Sequence, residues 1–451
     1  MSFRKVIVVA AILGASFQAQ AENLTDALQS GLMKSDQLEA SRQNFIAARQ
    51  ALITSNSAND LTGTASVTGS HTESDKKQAG GGFASSQSLS ASINISKQIY
   101  DSGEGEARQL AAKYTLDRQR ANYRAQEQQI ILAIIDSYLS LLTSVEARIL
   151  QEENVARLQA QTDATKIRLD AGTTTATRLA EAGARLARAK SNLIAAQANE
   201  ETARETYLSL TGLNGRDLSL PSLPESAPAS LSDAEAMALD NHPDIAAALA
   251  GERSARVQFD VLSRQVKPKL NLSLSATDQQ QKGTMQDKLD IKGQLVFSTP
   301  ILVTPSSRAK GKEVSAMIER AKYQLADARR VVALNARSAF RQLRSAKAQR
   351  HAVEAELAAA ELVADGIKTE VEFGQKIFLD QLDAEQSVSD AKVRLLQADQ
   401  SIMLNSYRLL ASLGGLTLDV VGLAGQFDSL DALQDPADVF QGFLPRAELP
   451  Q

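Results

Sequence analysis

The chain contains no cysteine and no tryptophan, and aromatic residues occupy only 4% of its 451 positions. Without cysteine there is neither a disulfide framework nor a lipid anchor on an N-terminal cysteine. Apolar content comes mainly from Ala, Leu, Ile and Val, which suits narrow helix seams rather than thick cores. The three histidines, His71, His242 and His351, are scattered, with no spacing for a metal or a catalytic triad. Neither a Gly-rich phosphate loop nor a GxSxG motif occurs. These absences argue against an enzyme and supply no cofactor site. A formal charge of −4 leaves no nucleic-acid footprint.

Proline and glycine are missing where they would interrupt helices. Residues 106–171 and 312–365 contain neither, and both show helical spacing of apolar side chains, Ile131, Ile135, Tyr138, Leu142 and Val145 in the first run. Counted to Gly172 and Gly374, each helix spans about 60–70 residues, or ~100 Å. Such helices must pack side by side as coiled coils, and abundant Ala permits close approach. All ten prolines lie outside them. Pro221, Pro224 and Pro228 mark a linker at 221–230, and Pro436, Pro445 and Pro450 mark a C-terminal tail at 415–451.

The N-terminus reads as a signal peptide over 1–21: Arg4 and Lys5, an apolar run over 6–14, then Ala19-Gln20-Ala21 as the cleavage site. That run is too short to span ~30 Å of hydrocarbon. No later segment reads as a transmembrane helix, so a membrane-embedded mature chain would have to be a β-barrel.

The chain is duplicated. At an offset of 202, Gly172/Gly374, Ala182/Ala384, Lys190/Lys392, Leu193/Leu395 and Gly212/Gly414 coincide; at 207, Leu24/Leu231, Asp26/Asp233 and Arg49/Arg256 do. The first repeat, 22–220, has a helix over 24–58, a β-hairpin over 61–99, a long helix over 101–171, a turn, and a helix over 175–212. The second, 231–414, has a helix, a hairpin over 268–298, a long helix over 306–372, a turn, and a helix over 376–414.

The hairpins switch period. Gly63, Ala65, Val67 and Gly69 alternate with Thr64, Ser66, Thr68 and Ser70; Leu89, Ala91, Ile93 and Ile95 alternate with Ser90, Ser92 and Asn94. Leu270, Leu272, Leu274 and Ala276, then Leu289, Ile291, Leu295 and Phe297, repeat the pattern. Runs of about ten residues fit tilted membrane strands, and equally fit two soluble hairpins with one wet face. Polar loops are expected over 74–86 and 278–286. Four strands cannot close a barrel, and open edges are forbidden in hydrocarbon, so embedded hairpins would have to be pooled between protomers.

This order of elements resembles the TolC-like outer-membrane export channels of Gram-negative bacteria. The likeness rests on the Gly172 and Gly374 turn–helix units, the LTDAL and LSDAE helix starts, the IYDSG junction at 99–103, and the paired hairpins. It implies an α+β membrane protein: a homotrimer pooling its hairpins into a twelve-stranded outer-membrane β-barrel in outer-membrane lipid, continued by an α-helical barrel. It also implies docking to a periplasmic adaptor and an inner-membrane RND or ABC transporter, in efflux or type I secretion. A periplasmic coiled-coil adaptor or scaffold is the alternative; it would carry a β-rich lipoyl-like domain and an anchor, neither of which is visible.

The resemblance also assigns residues. Gly172 and Gly374 match the tip turns. Asp380 and Asp383 match acidic positions that ring the periplasmic entrance, six carboxylates in a trimer; their potential would favour cations, and crowding would raise some of their pKa values. Their spacing also suits a helix N-terminus, where Asp complements the macrodipole. Lys376 stands at the family's basic locking residue, and Thr177 agrees with its expected surroundings. Arg178, however, occupies the position of its acidic partner, so that lock is not expected here. Leu302-Val303-Thr304-Pro305 replaces a Gly-rich turn after the second hairpin.

Overall fold

In the computed structural model the described residues are 22–423 except 58, 77–81, 225–227, 283–287 and 303. The expected signal peptide, residues 77–81 of the first loop, 283–286 of the second loop, the middle of the Pro-rich linker, Val303 and the tail beyond 423 lie outside them. The helices are α1 (Leu24–Lys34), α2 (Asp36–Asn56), α3 (Glu104–Asp170), α4 (Ala176–Thr211), α5 (Leu231–Asn241), α6 (Pro243–Gln265), α7 (Pro305–Glu372) and α8 (Phe378–Ser412). The strands are β1 (Thr62–Lys76), β2 (Gly82–Tyr100), β3 (Lys269–Lys282) and β4 (Lys288–Ser298).

The first helix of each repeat is broken in two, unlike the single helix expected over 24–58. Ser35 leaves the helical region (φ −74°, ψ 104°), and its hydroxyl accepts the Leu38 N–H at 3.3 Å, so one residue ends α1 and caps α2. At the matching place in the second repeat, Pro243 forces the break: it fits the first turn of α6 but could not continue α5.

The long helices start by different devices. Asp101 accepts the N–H groups of Gly103 (2.8 Å) and Gly105 (2.6 Å) at the head of α3, and Gly103 takes φ +78°. At the head of α7, Thr304 caps with its hydroxyl on the Ser307 N–H (3.2 Å) and Pro305 opens the helix. The helix therefore starts cleanly without the Gly-rich turn of the resemblance. The helices α3 and α7, 67 and 68 residues long, pair with α4 and α8 respectively.

Two cores sit at mid-length. In the first, Ile131, Ile134, Ile135 and Tyr138 of α3 pack against Leu28 and Leu32 of α1, Tyr207 of α4 and Tyr407 of α8. The second joins Ala234 and Ala238 of α5 to Val332, Ala336 and Leu343 of α7 and Leu409 of α8. One correction concerns the membrane: α3 is long and apolar enough to cross a bilayer by composition alone. Its apolar side chains are those of the first core, and that accounts for the stretch.

The core has a polar clasp. The Tyr138 hydroxyl donates to the Ser219 carbonyl at 2.6 Å and accepts from the Ser219 N–H at 3.1 Å, tying the post-α4 segment to α3. Its ring meets Tyr207 edge-on at 6.2 Å. Tyr138→Phe keeps the packing but removes both bonds to Ser219, leaving its N–H only the Glu22 carbonyl at 3.4 Å, so a loss of about 1 kcal/mol is expected. Thermal unfolding of the variant measures it, and an unchanged midpoint would remove the clasp from the account.

The four strands form one antiparallel sheet in the order β1-β2-β3-β4. Ladders run Val67↔Ala91, Ile93↔Ala276 and Ala276↔Ile291, so the apolar residues share one face across all four strands; Ser66↔Ser92 and Ser275↔Lys292 lie on the other. Hydroxyls of Ser66 and Ser92 (2.8 Å), and of Ser70 and Ser88 (2.7 Å), bond across β1 and β2. The strands run further than the alternation did. The ladder reaches Lys76↔Gly82 and β3 continues to Lys282, through much of the expected loops at 74–86 and 278–286. Backbone pairing continues where side chains are polar on both faces, which hydropathy period cannot register. No strand residue whose burial is described is buried, and Ile93 and Ile291 are 56% and 71% exposed. Neither face has a covering layer among the described residues, as a soluble hairpin with one covered face would need.

Candidate functional site

At the far end of the long helices from the sheet, both repeats turn through the same backbone shape. After α3, Gly172 takes φ +70° and its N–H bonds to the Leu169 carbonyl (2.9 Å), while the Thr173 N–H reaches the Arg168 carbonyl (2.9 Å). After α7, Gly374 takes φ +74°, and the Gly374 and Gln375 N–H groups reach Val371 (3.1 Å) and Glu370 (2.8 Å). This is the left-handed helix stop that glycine supplies without strain. A Cβ at either glycine meets nothing within 4 Å, so φ alone requires it.

The helices leaving the turns are capped differently. Thr175 accepts the Arg178 N–H at 3.4 Å. In the second turn Ile377 cannot cap; the Asp380 carboxylate accepts the Ile377 N–H at 3.3 Å instead. Asp380 thus serves its own helix start, as the macrodipole argument allows. Thr177, Arg178 and Lys376 are exposed, and the described residues include no side-chain bond or ion pair for Arg178 or Lys376.

Asp383 is brought to a residue the sequence reading missed. It forms an ion pair with Arg185 of α4, across the two repeats. Two residues on, the Glu385 carboxylate lies 4.0 Å from the Arg157 guanidinium of α3 and accepts from Gln381 at 2.9 Å. Next to Asp383, Leu382, 2% exposed, enters an apolar cluster with Leu158, Leu186 and Ala189. With Asp383 60% exposed, its pair contributes at most ~1 kcal/mol, so it neutralises charge more than it holds the hairpins together.

A charge signal for this was present in the sequence. Residues 155–190 carry seven basic and three acidic side chains, a net of +4; the equivalent 357–392 carry three basic and eight acidic, a net of −5. Duplication preserved the turns and polarised the charges.

A one-layer sheet with an apolar face, set on paired helices of ~100 Å, is the architecture of an outer-membrane channel. The outer membrane efflux protein family matches residues 27–213 and 236–415, and the chain belongs to that family. It is 31% identical over 340 residues to the outer membrane efflux protein BepC of Brucella suis biovar 1, covering 73% of each chain. The outer membrane protein TolC of Escherichia coli is 22% identical, with 91% of this chain and 86% of that one covered. Among solved structures, the outer membrane channel CmeC of Campylobacter jejuni has the same fold, with a TM-score of 0.74 at 17% identity over 87% of this chain and 86% of that one. The protein is an outer-membrane channel for efflux or secretion, and the adaptor or scaffold alternative is not favoured. Its relatives are channel proteins, not enzymes.

Proposed function

We propose that three copies assemble into one passive duct, pooling their sheets into a twelve-stranded barrel in outer-membrane lipid and their long helices into a tube across the periplasm. The observation that carries this reading is the sheet itself. Among the described residues its outer strands, β1 and β4, each have one unpaired edge, and neither face is covered. Exposed edges are untenable in hydrocarbon, whereas pairing β4 of one copy with β1 of the next removes every edge. Four strands per copy reach twelve with three copies, wide enough for a lumen lined by the Ser and Thr face.

The tip completes the reading. Gly172, Thr177, Arg178, Gly374 and Lys376 present the exposed turns to which a periplasmic adaptor docks, linking the duct to an inner-membrane RND or ABC transporter that supplies the energy. Asp380 and Asp383 of three copies come together at the entrance, where their potential selects among ions. The native mass of the mature protein, extracted unheated in mild detergent, tests the assembly. About three protomer masses are expected, and a monomer indifferent to detergent would sink the proposal.

A further inference from the structure

We propose that Arg185 sets the ionic selectivity of the entrance by masking Asp383, so that Asp383 adds little negative charge to the resting mouth and adds its full charge only when the two hairpins of a protomer separate. The inference rests on the duct reading above and concerns the regulation of the same site.

The geometry assigns the charges nearest Asp383. Asp383 is paired with Arg185 across the repeats. Asp380 is turned onto the Ile377 N–H. Arg157 faces Glu385, so it is not available to replace Arg185. The pair sits beside Leu382, whose insertion among Leu158, Leu186 and Ala189 holds the second hairpin against the first. Beyond this place α4 and α8 share little contact. Any widening that moves α8 from α4 must withdraw Leu382 and part Arg185 from Asp383. One motion thus uncovers a carboxylate in each copy, at the narrowest point of a low-dielectric mouth where focused charge counts most. An exposed pair resists that motion little, as a switch requires.

The experiment is the reversal potential of single channels of the purified full chain in lipid bilayers under a potassium chloride gradient. Arg185→Gln is expected to raise the potassium-over-chloride permeability ratio of the resting channel roughly twofold or more. Asp383→Asn should lower the resting ratio, because it leaves the Arg185 charge without its partner. The double variant, in which neither charge remains, should return close to the wild-type ratio, which isolates the pair from any separate influence of either residue. Arg185→Lys should retain the wild-type ratio. An unchanged ratio in Arg185→Gln, or a double variant whose ratio stays as high as that of Arg185→Gln, overturns the inference and leaves the duct intact. Failure of wild type and every variant to conduct overturns both.

Discussion

Gly414→Ala should be among the most damaging single-methyl changes in this chain. Gly414 closes α8 at φ +73°, and its carbonyl accepts the Gln128 amide at 2.9 Å. An added Cβ would sit 2.7 Å from the Asn241 carbonyl oxygen and 2.9 Å from the His242 Cα. Those are backbone atoms at the α5–α6 break and cannot swing aside. Left-handed strain of ~1 kcal/mol, added to overpacking of ~1–3 kcal/mol, gives an expected loss of roughly 2–4 kcal/mol. The repeat supplies a control. Gly212 has φ +77°, but its Cβ would meet only the Lys34 side chain, at 3.3 Å, which can move. Gly212→Ala should therefore cost about 1 kcal/mol, the strain alone. Thermal unfolding by far-UV circular dichroism compares them, and equal losses would refute the backbone clash.

Glu127→Gln should flatten the pH dependence of stability. Burial pushes the Glu127 carboxyl up to about 7 from its ordinary 4.5; Arg124 opposes the shift and Asp419 adds to it. Because the folded pKa is raised, the neutral acid favours the fold. That contribution is complete below 4.5 and is lost as pH rises through about 7. A displacement of this size is worth ~3 kcal/mol at 1.36 kcal/mol per pH unit. Between about pH 4 and pH 8 the variant should lose ~3 kcal/mol less stability than wild type, the difference accruing between about pH 4.5 and pH 7 and staying constant above that. Denaturant titrations at the two pH values measure it; parallel losses in both proteins would mean that Glu127 ionises without cost.

Much of this architecture was legible because its signals are local. Runs without Gly or Pro define α3 and α7, and a lone glycine after each marks a left-handed stop. Breaks such as Ser35 were harder, since serine inside an apolar period is ordinary. Only its repeat partner, His242-Pro243, carries an unambiguous stop. Strand ends were lost where both faces turn polar while the backbone ladder continues. At the tip, Gly172 and Gly374 could be found by their repeat offset, whereas Asp380 and Asp383 were singled out only by the family resemblance. Arg185 could not: its partner lies 198 residues away, and only the opposite charge balance of the repeats points to it.

The two unpaired sheet edges bear on how the protein is made. The helical cores are closed within one chain, built from α1, α3, α4 and α8 and from α5, α7 and α8. They can form as soon as a copy is synthesised. The sheet has no such independence, because among the described residues β1 and β4 have no further strand to pair with. In the proposed assembly, biogenesis divides into a fast unimolecular stage and a slow one whose rate depends on how many copies are present. A copy waiting between the two exposes adhesive strand edges, so scarcity rather than mutation becomes its main hazard.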